Sequence, residues 1–238
     1  MYTDIHTHIL PGIDDGAPDP ETSRRMLELE KKSGTDNIVL TPHYYMHRQS
    51  IGDFAEKRAD AFGKISSFAD GLGISLKTGA EVLYTPSLAD ADLSALCIEG
   101  TRYMLTELPY RQLTKNFINE FRSFTGSIFP DIIPILAHAE RYLDFTDENS
   151  LYEIMDTDMY VQVNSGGFRT FAGHTRFIYD LVRSGRAHLL GTDCHNTTTR
   201  PPDMDTARKA ISRKISAGCF EKLMRNAGQV FSGKSIQA

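Results

Sequence analysis

The sequence predicts an α/β protein whose parallel strands close into a seven-stranded (β/α)7 barrel. Strand-like and helix-like segments alternate along all 238 residues, and no low-complexity tract, charge block or Ser/Gly linker divides them. Such alternation implies parallel strands joined by right-handed crossovers. Each predicted strand is also followed by a polar side chain that can bind a ligand, which favours a barrel over an open sheet. We therefore predict a single domain that spans residues 1–238.

Seven short runs rich in β-branched or apolar residues are predicted as strands. In chain order these are Tyr2–Ile5, Asn37–Leu40, Ser75–Ala80, Arg102–Thr106, Ile132–Ala137, Met159–Val163 and His188–Gly191. Amphipathic segments between and after the strands are predicted as helices. These are Pro20–Ser33, Asp53–Gly71, Pro86–Ala95, Thr114–Phe124, Asp147–Met155, Thr170–Ser184, Asp203–Ala217 and Cys219–Phe231.

The first predicted helix has the clearest boundaries in the sequence. Asp19 is a candidate N-cap, Pro20 occupies the first helical position, and Glu21 follows in the first turn. Gly34 lies just after the predicted end, where a left-handed residue commonly terminates a helix.

Composition excludes several classes of function. Lys and Arg total 26 against 31 Asp and Glu, and the formal net charge of −5 argues against a protein that coats nucleic acid or an anionic membrane. No apolar run approaches the roughly 18 residues that span a bilayer, and no basic, apolar leader is apparent. Cys97, Cys194 and Cys219 are widely spaced, so we expect neither a disulfide framework nor a thiolate metal site. We expect a cytoplasmic protein without stable membrane insertion.

The polar residues at the ends of the predicted strands are the best candidates for chemistry. In chain order they are His6 and His8, His43, Glu81, Glu107, His138, Asn164, and Asp193 with His195. In a barrel the carboxyl ends of all strands meet at one face, whereas an open sheet binds ligands mainly at its switch point. Side chains two apart on an extended strand point to the same side, so the two residues of a pair such as His6 and His8 can bind one ion. Nitrogen and oxygen ligands without thiolate suit Mn²⁺, Zn²⁺, Fe²⁺, Co²⁺ or Mg²⁺.

Several motifs, in order along the chain, resemble those of the polymerase-and-histidinol-phosphatase (PHP) superfamily. They are residues 4–16 (Asp-Ile-His-Thr-His-Ile-Leu-Pro-Gly-Ile-Asp-Asp-Gly), Thr41-Pro42-His43, Gly79-Ala80-Glu81, Thr106-Glu107-Leu108-Pro109, Ala137-His138-Ala139-Glu140-Arg141, and Thr192-Asp193-Cys194-His195-Asn196 through Arg200-Pro201-Pro202. Within the superfamily the sequence looks most like the bacterial manganese-dependent tyrosine-protein phosphatases encoded with capsule and exopolysaccharide genes. One departure is Tyr44, where family members often carry a second histidine.

The resemblance implies a distorted (β/α)7 barrel with a metal site at the C-terminal face of the strands and three divalent ions, Mn²⁺ by analogy with the family. By position, the first ion would be bound by His6, His8, Glu81 and Asp193, the second by Glu81, Glu107 and His138, and the third by Asp15, His43 and His195. The resemblance also implies hydrolysis of phosphotyrosine by a metal-bridging hydroxide. Its protein substrate would be a bacterial tyrosine autokinase of polysaccharide export.

Arg141 and Arg200 match the arginines that hold phosphate in this family. A guanidinium suits phosphate because its planar fork donates two parallel hydrogen bonds. Both residues lie in loops directly after strand ends that carry candidate ligands. Tyr44, Tyr45, Phe168 and Phe171 could either stack on a phosphotyrosine ring or pack within their loops, and the sequence does not separate these alternatives.

A second pattern in the same region has the residue spacing of a different class of phosphatase. Cys194 and Arg200 have the C-x₅-R spacing of cysteine-dependent tyrosine phosphatases. The five intervening residues contain no glycine that would let backbone N–H groups surround a phosphate, and Pro201 and Pro202 lack N–H groups altogether. We therefore interpret Cys194 as a residue of the barrel wall between two ligands.

Three alternatives to a tyrosine phosphatase remain open at this stage. A small-molecule phosphoesterase such as histidinol phosphatase would use the same ions with a differently shaped pocket. A nuclease is disfavoured because the chain is acidic and shows no basic stripe, and a metal-binding scaffold with a decayed site is disfavoured because every expected ligand is present. The sequence also leaves open whether the protein is a homo-oligomer.

Overall fold

The computed structural model describes residues 2–169 and 173–236. These ranges contain nine strands: β1 (Tyr2–Thr7), β2 (Thr35–Leu40), β3 (His43–Tyr44), β4 (Ser75–Thr78), β5 (Glu81–Leu83), β6 (Tyr103–Glu107), β7 (Ile133–Leu136), β8 (Tyr160–Asn164) and β9 (Leu189–Gly191). The same ranges contain eight α-helices: α1 (Pro20–Lys32), α2 (Ile51–Gly63), α3 (Ser66–Gly71), α4 (Lys115–Ile128), α5 (Glu148–Met155), α6 (Thr175–Ser184), α7 (Met204–Lys214) and α8 (Ala217–Phe231).

All pairings between these strands are parallel, and the strands form a curled α/β sheet as predicted. One sheet has the order β1-β2-β4 and the other β3-β5-β6-β7-β8-β9. The two edges meet beyond β9, where the Asp193 N–H donates to the His6 carbonyl at 2.8 Å and the His8 N–H donates to the Cys194 carbonyl at 2.9 Å. These bonds close the sheet at the level of the predicted ligands.

The nine strands of the described residues include two that the sequence analysis did not predict, β3 and β5, each of which follows a predicted strand after a short interruption. β2 and β3 are separated by Thr41 and Pro42, and β4 and β5 by Gly79 and Ala80. Pro42 has no N–H to donate to a strand ladder, yet its carbonyl still accepts from the Glu81 N–H at 3.0 Å. The interruptions therefore redirect the chain without opening the barrel wall.

The predicted helices differ from the structure at three places. Asp53–Gly71 is two helices, α2 and α3, because the chain turns between them. Pro86–Ala95 forms two short 3₁₀ turns, Pro86–Asp90 and Ser94–Leu96, instead of an α-helix. The predicted Thr170–Ser184 helix begins at Thr175, and residues 170–172 lie outside the described residues. The α1 prediction is confirmed, with the Asp19 side chain accepting from the Thr22 N–H.

Apolar residues of the helices pack against the outside of this sheet. The largest cluster joins α4 to α8 with β5 to β8 through residues such as Phe121, Leu151, Ile178 and Met204. A second cluster packs Met26 and Leu27 of α1, together with α2 and α3, against β2. Five of the α-helices begin with a Ser, Thr or Asp side chain that accepts from a backbone N–H in their first turn, in addition to α1. Among the described helices, none is long and apolar enough to cross a membrane.

Candidate metal centre

Every predicted metal ligand lies at the carboxyl ends of the strands, as the barrel prediction requires. His6 is in β1, and His8 directly follows that strand. His43 and Glu81 begin β3 and β5, just after the interruptions, and Glu107 ends β6. The remaining ligands lie in segments after strands: His138 after β7, Asp193 and His195 after β9, and Asp15 in the loop before α1.

The first cluster consists of His6, His8, Glu81 and Asp193, all of them buried. The Nε2 atoms of the two histidines lie 3.2 Å apart, and Glu81 Oε2 is 3.2 Å from His6 Nε2 and 3.1 Å from His8 Nε2. Asp193 Oδ1 is 3.5 Å from His6 Nε2 and 3.4 Å from His8 Nε2. Four candidate ligand atoms thus face one point, as the sequence predicts.

The second cluster contains Glu81, Glu107 and His138, and His43 also reaches it. His138 Nε2 lies 2.7 Å from Glu81 Oε1 and 3.6 Å from Glu107 Oε1. His43 Nδ1 lies 3.0 Å from Glu81 Oε2, and His43, Glu81 and Glu107 form a group that could hold an ion. His43 therefore lies between this cluster and the third.

The third cluster contains Asp15, His43 and His195, as predicted, and His8 joins them. Asp15 Oδ1 lies 3.4 Å from His43 Nε2 and 3.5 Å from His195 Nε2. Burial lowers the pKa of His195 to about 3, so its ring is neutral at neutral pH. A neutral imidazole is the form that binds metal.

Several buried atoms in these clusters have no hydrogen-bond partner among the residues that the structure describes. They are Glu81 Oε2, His43 Nδ1, His138 Nδ1 and His195 Nε2. A buried polar atom without a partner costs about 1–3 kcal/mol. Three of the four atoms lie next to other candidate ligand atoms, in a nitrogen and carboxylate donor set that first-row divalent ions accept. The residues present therefore fit bound divalent cations.

Neighbouring groups fix the orientation of the histidine rings. His8 Nδ1 lies 2.7 Å from Asp14 Oδ2, an oxygen that also accepts from the His43 N–H at 3.0 Å. His195 Nδ1 lies 3.0 Å from the Asp193 carbonyl. A carboxylate or carbonyl on one ring nitrogen leaves the other nitrogen free for a cation. Asp14 is a functional residue that the sequence analysis missed, although it directly precedes the predicted ligand Asp15.

Close backbone packing around the ligands requires glycine at two positions. A Cβ on Gly16 would lie 2.1 Å from the His8 carbonyl oxygen, and a Cβ on Gly191 would lie 2.7 Å from His6 Cβ. Neither contact is compatible with an unshifted side chain. Two ligands are themselves strained, because His138 and Asp193 have φ angles of 35° and 54°.

Arg141 and Arg200 reach the centre from opposite sides of Asp193. Arg141 Nη2 lies 3.0 Å from Asp193 Oδ2, and Arg200 Nη2 lies 2.8 Å from Asp193 Oδ1. Their side chains are 36% and 34% exposed, so both guanidinium groups can also contact a ligand from solvent. Both residues line a cavity of about 470 Å³ above the clusters, together with Asp15, His43, Glu107, Tyr45 and Tyr110.

Comparison with known proteins places this chain in a family. The family model described as "Capsular polysaccharide synthesis, CpsB/CapC" matches residues 2–232. The chain belongs to the CpsB/CapC family. Its relatives include the tyrosine-protein phosphatase YwqE of Bacillus subtilis, 26% identical over 98% of this chain and 92% of YwqE. They also include the tyrosine-protein phosphatase CpsB of Streptococcus pneumoniae, 29% identical over 90% of this chain and 91% of CpsB.

A solved structure supports the same fold. The crystal structures of YwqE from Bacillus subtilis and CpsB from Streptococcus pneumoniae are described as those of metal-dependent tyrosine phosphatases. One of these chains superposes with a TM-score of 0.81 at 22% identity, covering 99% of this chain and 96% of that chain. The superposition extends over the whole barrel, so the CpsB/CapC fold holds for this chain along its length.

The structure separates the two roles that the sequence left open for the aromatic residues near the site. Tyr44 is buried against Phe54, and Phe168 is buried against Tyr179, so both are packing residues. Phe171 lies outside the described residues. Tyr45 does line the cavity, where its ring stacks near His43 at 5.4 Å.

Tyr110 is a cavity residue that the sequence analysis did not single out. Its hydroxyl lies 3.5 Å from His138 Nε2 and accepts from Arg141 Nη1 at 3.4 Å. It stands three residues after the ligand Glu107, in the loop that leaves β6. Its position in this loop could have identified Tyr110 from the sequence, because loops at this face of a barrel carry functional residues.

Cys194 is not a nucleophile in the site, as the sequence analysis argued. It is fully buried and packs in the cluster with α1, on the other side of the strand from the ligands. Burial raises the pKa of its thiol well above the ordinary value, and the charge of Glu30, whose Oε1 lies 3.8 Å from Sγ, raises it further. A thiol in this environment stays protonated at neutral pH.

Proposed function

We propose that this chain is a metal-dependent protein-tyrosine phosphatase. The observation that carries the proposal is the convergence of three ligand clusters, linked through Glu81, His8 and His43, beside two partly exposed arginines in one cavity. YwqE and CpsB, both called tyrosine-protein phosphatases, share the family and most of their length with this chain. Clustered cations next to arginines suit phosphate monoester hydrolysis, because they neutralise the charge of the phosphate oxygens.

The side chains of this protein position the phosphate and the leaving group. Bound ions would supply a water activated near neutral pH and positive charge for the phosphate oxygens. Arg141 and Arg200 would turn from Asp193 toward the phosphate, since their guanidinium forks can donate paired hydrogen bonds to its oxygens. Tyr45 and Tyr110 line the cavity walls where the aromatic ring of a phosphotyrosine would lie. A tyrosinate leaving group, with a pKa near 10, needs less protonation than an alkoxide.

We propose that the centre holds three divalent ions, with Mn²⁺ as the native metal. His6, His8, Glu81 and Asp193 would bind the first ion, Glu81, Glu107 and His138 the second, and Asp15, His43 and His195 the third. Elemental analysis of the purified protein should give about three metal ions per chain. A ratio near one or two would reject the third site.

We further propose that the physiological substrate is a phosphorylated bacterial tyrosine autokinase of capsular or exopolysaccharide synthesis, in the cytoplasm. The support is the family description, which refers to capsular polysaccharide synthesis, and the names of the relatives. The substrate would reach a cavity that is open to solvent and lined by aromatic residues as well as arginines.

Substrate preference tests the proposal against a histidinol phosphatase, which would use the same ions. We expect the Mn²⁺-loaded protein to hydrolyse phosphotyrosyl peptides with a kcat/KM at least about tenfold higher than for histidinol phosphate, because the cavity walls contact the aromatic ring. The reverse preference would assign the chain to the small-molecule phosphoesterases.

A further inference from the structure

A groove of about 720 Å³ leads from the metal centre along α2. Four residues line both this groove and the cavity above the clusters: Asp15, His43, Tyr45 and Arg48. The two spaces therefore adjoin each other beside the metal centre. A peptide whose phosphotyrosine occupies the cavity would pass its neighbouring residues into the groove.

One face of α2 forms the wall of the groove. Lys57, Asp60 and Ala61 of α2 line it together with Lys64, the residue that caps the end of α2, and their spacing of three, four and seven residues places side chains on one side of a helix. From Lys57 to Lys64 this face is about 10 Å long, at 1.5 Å per residue. An extended peptide covers that length with about three residues.

Two of the three cations that line the groove form no ion pair with any described residue, although Asp14, Asp15 and Asp60 line it as well. Lys57 Nζ donates to Gln49 Oε1 at 3.0 Å, and the Arg48 guanidinium lies 4.5 Å from the centroid of the Tyr45 ring. Within residues 2–169 and 173–236, neither cation forms an ion pair with a carboxylate, whereas Lys64 pairs with Asp60 at 2.6 Å. Both positive groups thus have neutral partners that the carboxylates of a ligand could replace.

We propose that this groove binds acidic residues next to the phosphotyrosine of the substrate, with Arg48 and Lys57 contacting their carboxylates. The inference rests on the proposed phosphatase function and adds a specificity for the sequence around the phosphotyrosine. The substrate segment is an acidic peptide of about three residues, by the length of the α2 face.

Two phosphotyrosyl peptides test this specificity, one with Asp and Glu flanking the phosphotyrosine and one with Ser and Asn in the same places. We expect the wild-type protein to favour the acidic peptide by about tenfold in kcat/KM, from two exposed charge contacts, and the preference to fall with added salt. Lys57→Gln should reduce the ratio to about threefold or less.

Lys222→Gln is the matched control, because Lys222 is an exposed lysine of α8 near His188, at the other end of the barrel. That variant should keep the wild-type ratio.

Equal kcat/KM for the two peptides in the wild-type protein would overturn the groove proposal alone. An unchanged ratio in Lys57→Gln, or an equal loss in Lys222→Gln, would do the same. If neither peptide is hydrolysed in the presence of Mn²⁺, the phosphatase proposal fails as well.

A separate observation concerns a chain of buried hydrogen bonds on β8. Gln162 and Asn164 are two residues apart on this strand and so project to the same side. Gln162 Oε1 accepts from the His138 N–H at 2.7 Å and lies 3.2 Å from His6 Nδ1. Gln162 Nε2 donates to Asn164 Oδ1 at 2.8 Å, and Asn164 Nδ2 donates to Asp193 Oδ2 at 2.8 Å.

The His138 N–H fixes the direction of this chain, because a backbone N–H can only donate. It requires the oxygen of Gln162 to face His138 and His6, so His6 Nδ1 must carry the proton. His6 Nε2 then keeps its lone pair toward the first cluster. The amide nitrogen of Gln162 faces Asn164 Oδ1, which in turn leaves Asn164 Nδ2 to donate to Asp193.

The geometry points to Gln162 and Asn164 as positioning residues for the ion of the first cluster. Besides the bond from the His138 N–H, the two side chains contact two ligands of that cluster, Gln162 contacting His6 and Asn164 contacting Asp193. The side chain of Gln162 is fully buried, so its amide has no water as an alternative partner, and that of Asn164 is nearly buried. This inference rests on the proposed metal site and does not depend on which substrate is hydrolysed.

Titration of the metal-stripped, full-length protein with Mn²⁺ tests this role. We expect Gln162→Met to weaken at least one Mn²⁺ binding step by about 10- to 100-fold, as losses of such partners do elsewhere. Asn164→Ala serves as a second variant in case Gln162→Met does not fold. Asn226→Leu is the matched control, since Asn226 is a buried amide that donates to the His188 carbonyl at 2.9 Å, away from the ligands. Wild-type Mn²⁺ affinity in both β8 variants, or an equal loss in Asn226→Leu, would overturn the inference.

Discussion

Glu81 is the residue on which the candidate centre depends most. Its Oε2 lies within 3.2 Å of ring nitrogens of His6, His8 and His43, and its Oε1 lies 2.7 Å from His138 Nε2. One carboxylate thus contacts histidines of all three clusters. The sequence analysis could identify Glu81 from its place after a strand, but it could not show that His43 and His8 each face two clusters, because that depends on side-chain positions across the barrel.

The arginines should contribute to turnover through the phosphate. We expect Arg141→Ala to lower kcat/KM for phosphotyrosyl peptides by a factor of at least about 100, because a charged donor to the phosphate oxygens is lost. The kcat/KM of Arg141→Lys should lie between those of Arg141→Ala and the wild type, since lysine keeps the positive charge but cannot donate two parallel hydrogen bonds. Steady-state kinetics at saturating Mn²⁺ checks both, and a near-normal rate for Arg141→Ala would show that it does not contact the phosphate.

Cys194 separates the two phosphatase mechanisms that the sequence suggests. We expect Cys194→Ala to retain phosphatase activity within about threefold, because its buried thiol packs against α1 and the lost volume affects stability first. Complete loss of activity in this variant, with its metal content and folding intact, would favour a thiolate nucleophile.

At the scale of elements, strands were predicted more successfully than the segments between them. Each predicted strand is an apolar run followed by a candidate ligand, so two independent signals marked the same strand end. Pro86–Ala95 has an amphipathic pattern but forms 3₁₀ turns. A short apolar run near a proline is compatible with either an α-helix or a 3₁₀ turn, so the pattern does not distinguish them. The interruptions between β2 and β3 and between β4 and β5 occur where the strands bend around the centre. Hydrophobic periodicity contains no information about such bends.

His188 links the start of β9 to the neighbouring strand and makes folding stability depend on pH. Its Nδ1 accepts from the Val161 N–H at 3.1 Å, and burial, helped by the charge of Lys222, lowers its pKa below the ordinary 6.5. A lowered histidine pKa means that the unfolded chain takes up the proton first. This contribution to stability is therefore present above pH 6.5 and is lost as the pH falls toward the pKa of the folded state.

We expect His188→Asn to lose less stability than the wild type between pH 6.5 and pH 5. Asparagine can accept from the Val161 N–H but does not titrate. Urea unfolding at each pH gives the comparison, and the metal-site histidines, which are common to both proteins, cancel in the difference. Identical pH dependence in the two proteins would contradict the assignment.

At the scale of the whole molecule, the proposed ions would change the net charge and its distribution. The sequence alone has a formal charge of −5, and three divalent ions would bring it to about +1, with the added charge concentrated at the strand ends. Composition alone gives no information about this local field. The field arises from residues far apart in sequence that the barrel brings together.

Metal removal should lower the stability of the whole barrel, because the ligands come from most of its strands. A single ion at a hundredfold excess over its Kd stabilises the folded state by about 2.7 kcal/mol. We expect chelator to lower the Tm and added Mn²⁺ to restore it, in a single cooperative transition if residues 1–238 form one domain. Two separate transitions would contradict the single-domain prediction.

The most direct test of the account is the rate of phosphotyrosyl peptide hydrolysis as Mn²⁺ is returned to metal-stripped protein. We predict no turnover in the stripped protein, recovery on addition of Mn²⁺, and no recovery in Glu81→Ala, in which all three clusters lose a shared or neighbouring carboxylate. Full activity in protein that elemental analysis shows to be free of metal would contradict the account.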